Sequence, residues 1–96
     1  MSVHPLTRDL NEARHNAAVI IQNATGADYY QAGVARDLIS LVILNNEGFA
    51  RAVGVGLVIL MIIGENDDRE WAPNVNEIIA AVAKCDNILN DFPDDF

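Results

Sequence analysis

The side chains of this chain that could do chemistry fall into three groups. The first is acidic. Glu65, Asp67, Asp68 and Glu70 lie within a short stretch that ends at Trp71, and Asp94 and Asp95 add two more carboxylates near the C-terminus. A calcium loop needs oxygen ligands at its positions one, three and five and a glycine at six. Counted from Glu65, those last two positions hold Arg69 and Glu70; counted from Asn66, position six is Trp71. The spacing therefore excludes an EF-hand. Carboxylates in an open polar loop also stay ionised and do not gain the raised pKa that general acid catalysis needs. Acids beside one large aromatic suit docking on a basic protein surface, where the charges steer the encounter and Trp71 anchors it.

The second group is Tyr29, Tyr30 and Arg36, which could approach Arg8 or Arg14 of the preceding segment. Aromatic rings and guanidinium groups together can hold a nucleotide-like anion. The competing reading places Tyr30 in the core and makes Tyr29 a packing contact at the start of a helix. The third group is Ala50, Gly54 and Gly56, small residues that permit close approach of a neighbouring backbone, either within the chain or from a second copy. Gly54 and Gly56 do not make a dinucleotide fingerprint, since Ile59 stands where the later glycine belongs. His4 and His15 are too far apart in sequence for a helical metal pair, and Cys85, the single cysteine, falls on an apolar seam where a thiol is inert. Neither Ser2 nor Ser40 has a histidine at a suggestive spacing. No catalytic residue, metal or cofactor is expected.

The elements that must position these groups are arranged around Ala52–Ile63, AVGVGLVILMII, a run without one polar side chain. Spanning a bilayer takes about 20 apolar residues, so this run fits a buried helix better than a membrane segment. Alternation cannot separate strand from helix here, because both alternating sets are apolar. No other segment offers a partner strand, however, and a lone strand would strand its backbone hydrogen-bonding groups. The expectation is a single all-α domain over 1–96, a small antiparallel four-helix bundle. Its helices run over about 5–24, 28–45, 47–63 and 73–91, followed by a short acidic tail over 93–96. Leu6, Leu10, Ala13, Ala17, Ile20, Ile21 and Ala24 form the stripe of the first helix. Asp28 followed by Gln31 gives the second a capping signal; from Tyr30 its apolar positions Val34, Leu38, Leu41 and Val42 hold helical spacing, and Ile39, Ile43 and Leu44 widen the stripe, so burial on more than one side is expected. Asn46 is a candidate cap for the third, which is apolar nearly all round and must lie centrally or face another subunit. Val75, Ile78, Val82, Cys85, Leu89 and Phe92 make a narrow seam on the fourth.

Charge bounds the partners. The net charge is −8, and it is uneven: residues 1–51 hold five acids and four bases, residues 52–96 nine acids and two bases. Such a field opposes nucleic acid and anionic membranes and favours basic proteins. MSVHPLTRDL lacks the layout of a signal peptide, so a cytoplasmic location is expected. The function expected first is a non-enzymatic acidic binding protein that inhibits or masks a basic partner. Immunity and antitoxin proteins work in that manner, as do phage anti-defence inhibitors, some of them nucleic-acid mimics. The alternative is a homo-oligomeric helical protein with a structural role or one in sequestering a small nucleotide-like anion.

Overall fold

The structure, a computed structural model, describes residues 5–63 and 75–91. They form four helices: α1 (Pro5–Thr25), α2 (Tyr29–Asn45), α3 (Gly48–Ile63) and α4 (Val75–Asn90). The chain is an all-α four-helix bundle, with no strand among the described residues. No described helix is long and apolar enough to cross a membrane.

Local chemistry sets the helix ends. Thr25 Oγ1 donates to the Ile21 carbonyl at 2.7 Å, and Gly26, at φ 79°, donates from its backbone N–H to the Gln22 carbonyl. A left-handed glycine thus closes α1 without a Cβ penalty. Two residues later Asp28, in extended backbone, accepts from the Gln31 N–H at 2.7 Å and starts α2. The turn between α2 and α3 is tied more heavily. Asn45 and Asn46 donate from their side-chain amides to the Leu41 and Val42 carbonyls. Arg51 then reaches back from α3, giving Nη2 to the Ile43 carbonyl at 2.9 Å and Nε to the Asn46 carbonyl at 3.1 Å. The last carbonyls of a helix have no partner within it and carry the negative end of its dipole. The one charged residue of α3 is placed where that end needs it. Asn46, expected to cap α3, instead terminates α2, and Gly48 at φ 57° turns the chain into α3.

The core lies between α1, α2 and α4. Ala13, Ala17, Ala18 and Ile21 of α1 meet Ala32, Ala35, Ile39 and Ile43 of α2 and Val75, Ile78, Val82 and Cys85 of α4. From α3 come Val55 and Ile59. Ser40 Oγ donates to Asp86 Oδ1 at 2.7 Å and links α2 to α4 beside this core.

Two expectations change. On α2, Ile39 and Ile43 are buried as expected, together with Ala32 and Ala35, whereas Tyr30, Leu38, Leu41 and Leu44 of the expected stripe are exposed. Both sides of α2 are apolar, and its alanine side matches the alanine side of α1. Small residues let the two helix axes approach, which turns the larger side chains outward. The third helix, for its part, runs along one flank of the bundle against α2 and α4 and is not enclosed by the other three. Of its two expected settings, central or facing outward, its apolar residues divide: Val55 and Ile59 point in, Phe49, Val53, Leu57, Leu60 and Met61 point out.

Candidate binding sites

The turn at residues 26–28 brings α1 and α2 side by side, and a cleft of about 690 Å³ opens between them. Positions three and four apart share a face of a helix. On α1 that spacing relates Asn11 to Arg14 and His15, and on α2 it relates Gly33 to Tyr29, Tyr30, Arg36 and Asp37. Arg36 is held firmly. Its Nε donates to Asp37 Oδ1 at 3.1 Å and its Nη1 to the Arg14 carbonyl at 3.0 Å, and its side chain is 12% exposed. Arg14 is looser: Nη2 donates to the same Asp37 oxygen at 3.2 Å, and 40% of its side chain faces solvent. One carboxylate therefore fixes two guanidinium groups, and the trio keeps one net positive charge in a chain of net charge −8. Among the described residues, Arg14 Nη1 and Arg36 Nη2 donate to no protein group. A hydrogen bond of 3.0 Å joins His15 Nδ1 to the Tyr29 hydroxyl, with the rings 5.6 Å apart and tilted by 41°. Tyr30 stands at the rim, 80% exposed.

Sequence reasoning grouped Tyr29, Tyr30 and Arg36 and offered Arg8 or Arg14 as company. The cleft takes Arg14 and leaves Arg8 elsewhere on α1. His15, weighed from the sequence only as a metal ligand, and Asp37 were missed. The signal was there in the helical spacing of residues 11, 14 and 15, which places Arg14 and His15 on one face. The reading of Tyr30 as a core residue does not hold, because α2 buries its alanine side.

The second surface is the outward side of α3. Phe49, Val53, Leu57, Leu60 and Met61 recur at three- and four-residue spacing and so form one stripe. Phe49 is 85% and Met61 78% exposed. Leu38 and Leu41 of α2 are exposed too. Beside the stripe, Ala52, Val53, Gly56, Leu57, Leu60 and Val75 line an apolar groove of about 460 Å³ between α3 and the first turn of α4. The three small residues expected at a helix contact separate here. Ala50 is exposed on the outward side, and Gly56 is buried in the groove wall. Gly54 faces α2, where a Cβ would lie 2.7 Å from Val42 Cγ1. Its close neighbour is inside the chain.

Cys85 is buried, its Sγ 3.6 Å from the Ala81 carbonyl. Burial pushes its thiol pKa up, and the more distant positive charges of Arg14 and Arg36 offset this in part. The acidic constellation, Glu65, Asp67, Asp68, Glu70, Trp71, Asp94 and Asp95, lies outside the described residues. No protein-family description, curated protein or solved structure matches the chain.

Proposed function

We propose that this is a non-enzymatic helical binding protein that works as a homo-oligomer, with α3 at the subunit contact. The observation that carries the reading is the outward stripe of α3. Its five large apolar side chains stay exposed in the lone chain, Phe49 and Met61 most of all, and Leu38 and Leu41 of α2 are exposed as well. A large exposed apolar patch on a protein marks an interaction site. A second copy is the occupant that the charges favour. Within α3 the sole ionised side chain, Arg51, is engaged on the end of α2, so the stripe itself carries no charge. Two chains of net charge −8 repel, and a charge-free face is where they meet at least cost. An anionic membrane surface fits poorly, since interfacial helices carry lysines and arginines along the polar side. A two-fold pairing would set stripe against stripe, each copy's protruding residues beside its partner's groove.

The test is the mass in solution, by light scattering after size exclusion at micromolar concentration. The expected result is a dimer or higher multiple of the 10.5 kDa chain. Leu57→Glu and Met61→Glu should each give monomers with an unchanged helical circular dichroism signal, because both side chains already face solvent. A wild-type monomer across the accessible concentration range would remove the reading.

A second reading is favoured by the charge distribution, nine acids against two bases over residues 52–96. In it the carboxylates of Glu65, Asp67, Asp68 and Glu70 mask a basic protein surface. Binding of that kind weakens steeply with salt. Charge reversal at Asp67, Asp68 and Glu70 should abolish it while leaving the oligomer intact.

A further inference from the structure

We infer that the cleft between α1 and α2 is a binding site for a nucleotide, the base stacking on the tyrosines at the rim and the phosphate held by Arg14. The cleft's volume of about 690 Å³ lies inside the usual range for small-molecule sites. Its chemistry is divided between two neighbouring parts. Tyr30 offers an exposed aromatic face next to Tyr29, whose hydroxyl is tied to His15 and whose ring is thereby fixed. A flat heteroaromatic ring stacks on such a face whatever its substituents. The guanidinium of Arg14 lines the same cleft, anchored at one nitrogen by Asp37 and open at another. A planar guanidinium pre-oriented in this way suits a phosphate better than a lysine would, through paired N–H donors. Arg36 supplies the floor. Its hydrogen bond to the Arg14 carbonyl ties α2 to α1 across the cleft, and its bond to Asp37, on the same helix, fixes the guanidinium in place.

The ligand class follows from that division. Asp37 is already engaged by both arginines, so a multiply charged anion without a ring would meet one positive charge against a chain of net charge −8 and bind weakly. An uncharged aromatic would use the tyrosines and leave Arg14 idle. A nucleotide satisfies both halves at once. This inference goes beyond self-association and does not depend on it. The cleft belongs to α1 and α2, whereas the subunit contact is on α3, and solution mass and ligand binding are read out separately.

The experiment is isothermal titration of the 96-residue chain at low salt with adenosine, guanosine, cytidine and uridine 5′-monophosphates. The matching nucleosides and inorganic phosphate serve as comparison. At least one monophosphate should bind saturably, with its nucleoside and free phosphate each about tenfold weaker or more. Arg14→Gln and Tyr30→Ala should each weaken binding by roughly tenfold, while Tyr30→Phe, which keeps the ring, stays within about twofold of the parent chain. Both positions are exposed enough that the helical signal should not change, and Tyr30→Phe guards against a loss that merely reports unfolding. The inference is overturned if no monophosphate binds up to millimolar concentration. It is equally overturned if nucleoside and nucleotide bind alike, or if Arg14→Gln and Tyr30→Ala both bind as the parent does.

Discussion

Ser40 and Asp86 form the kind of polar contact whose loss is felt more than its presence. Asp86 Oδ1 accepts from Ser40 at 2.7 Å, whereas Oδ2 is buried and has no hydrogen-bond partner among the described residues. Removing the serine hydroxyl would leave a partly buried carboxylate with neither oxygen bonded. Leaving a buried acceptor unsatisfied costs about 1–3 kcal/mol. Ser40→Ala should therefore lower the unfolding free energy by about that amount in urea titration, and the double change Ser40→Ala with Asp86→Leu, which removes both partners, should cost less than the serine change alone. Cys85 makes a prediction with a sign. Its thiol pKa is higher folded than unfolded because of burial. Above the ordinary thiol pKa the unfolded chain releases the proton while the folded chain keeps it, so the folded state binds more protons and stability falls as pH rises. Below that value both states are protonated and the residue contributes no pH dependence. Thermal melts from pH 7 to 10 should show this alkaline decline in the parent chain and a shallower one in Cys85→Ala after correction for its lower baseline. An equal slope in both would count against the assignment.

Among the helices, what could be read from the sequence followed from local rules. Asp28 with Gln31 is capping chemistry and starts its helix where expected, and Thr25 with Gly26 closes α1 one residue past the expected end at about 24. Of the seam on α4, Val75, Ile78, Val82 and Cys85 are buried as the spacing required, whereas Leu89 near the end of the helix is exposed and Phe92 lies outside the described residues. What could not be read was orientation. A helix with alanines on one side and leucines on the other has two apolar faces, and the choice between them depends on the neighbour. α1 decides it by presenting Ala13, Ala17 and Ala18. The same dependence hid half of the cleft, since Tyr29 and Arg36 are legible as a pair on one helix while Arg14 and His15 join them through the α1–α2 turn. Gly54 gives a test at this scale. A Cβ there meets Val42 Cγ1 at 2.7 Å, and valine in a helix has one strongly preferred rotamer and cannot swing clear. Overpacking costs about 1–3 kcal/mol against a helix-propensity gain of about 1 kcal/mol. Gly54→Ala should thus be mildly destabilising, and Val42→Ala introduced beside it should restore part of the loss in a double-mutant cycle.

For the whole molecule, the two proposed modes of association respond to salt in opposite directions. Copies of net charge −8 that join through an uncharged stripe repel at long range, so screening should tighten the oligomer. Docking of acids on a basic partner should loosen under the same change. Sedimentation from 50 to 500 mM salt separates the two, and an oligomer that dissociates as salt rises would contradict assembly through α3. The melting temperature should also climb with protein concentration, because assembly stabilises the folded state by mass action. The alanines at the centre have a consequence for how this chain can vary. Ala17, Ala18, Ala32 and Ala35 have no exposed surface at all, so a larger residue at any of them would have to push α1 and α2 apart and would disturb the Arg14–Asp37–Arg36 lattice with them. The outward leucines of α2 and α3 have room to change within a lone subunit. In a substitution library selected for folding alone, the smallest apolar residues would be the most restricted and several of the largest the most permissive. Selection for the working protein would remove that freedom from the outward stripe, and the difference between the two profiles would trace its interface residue by residue.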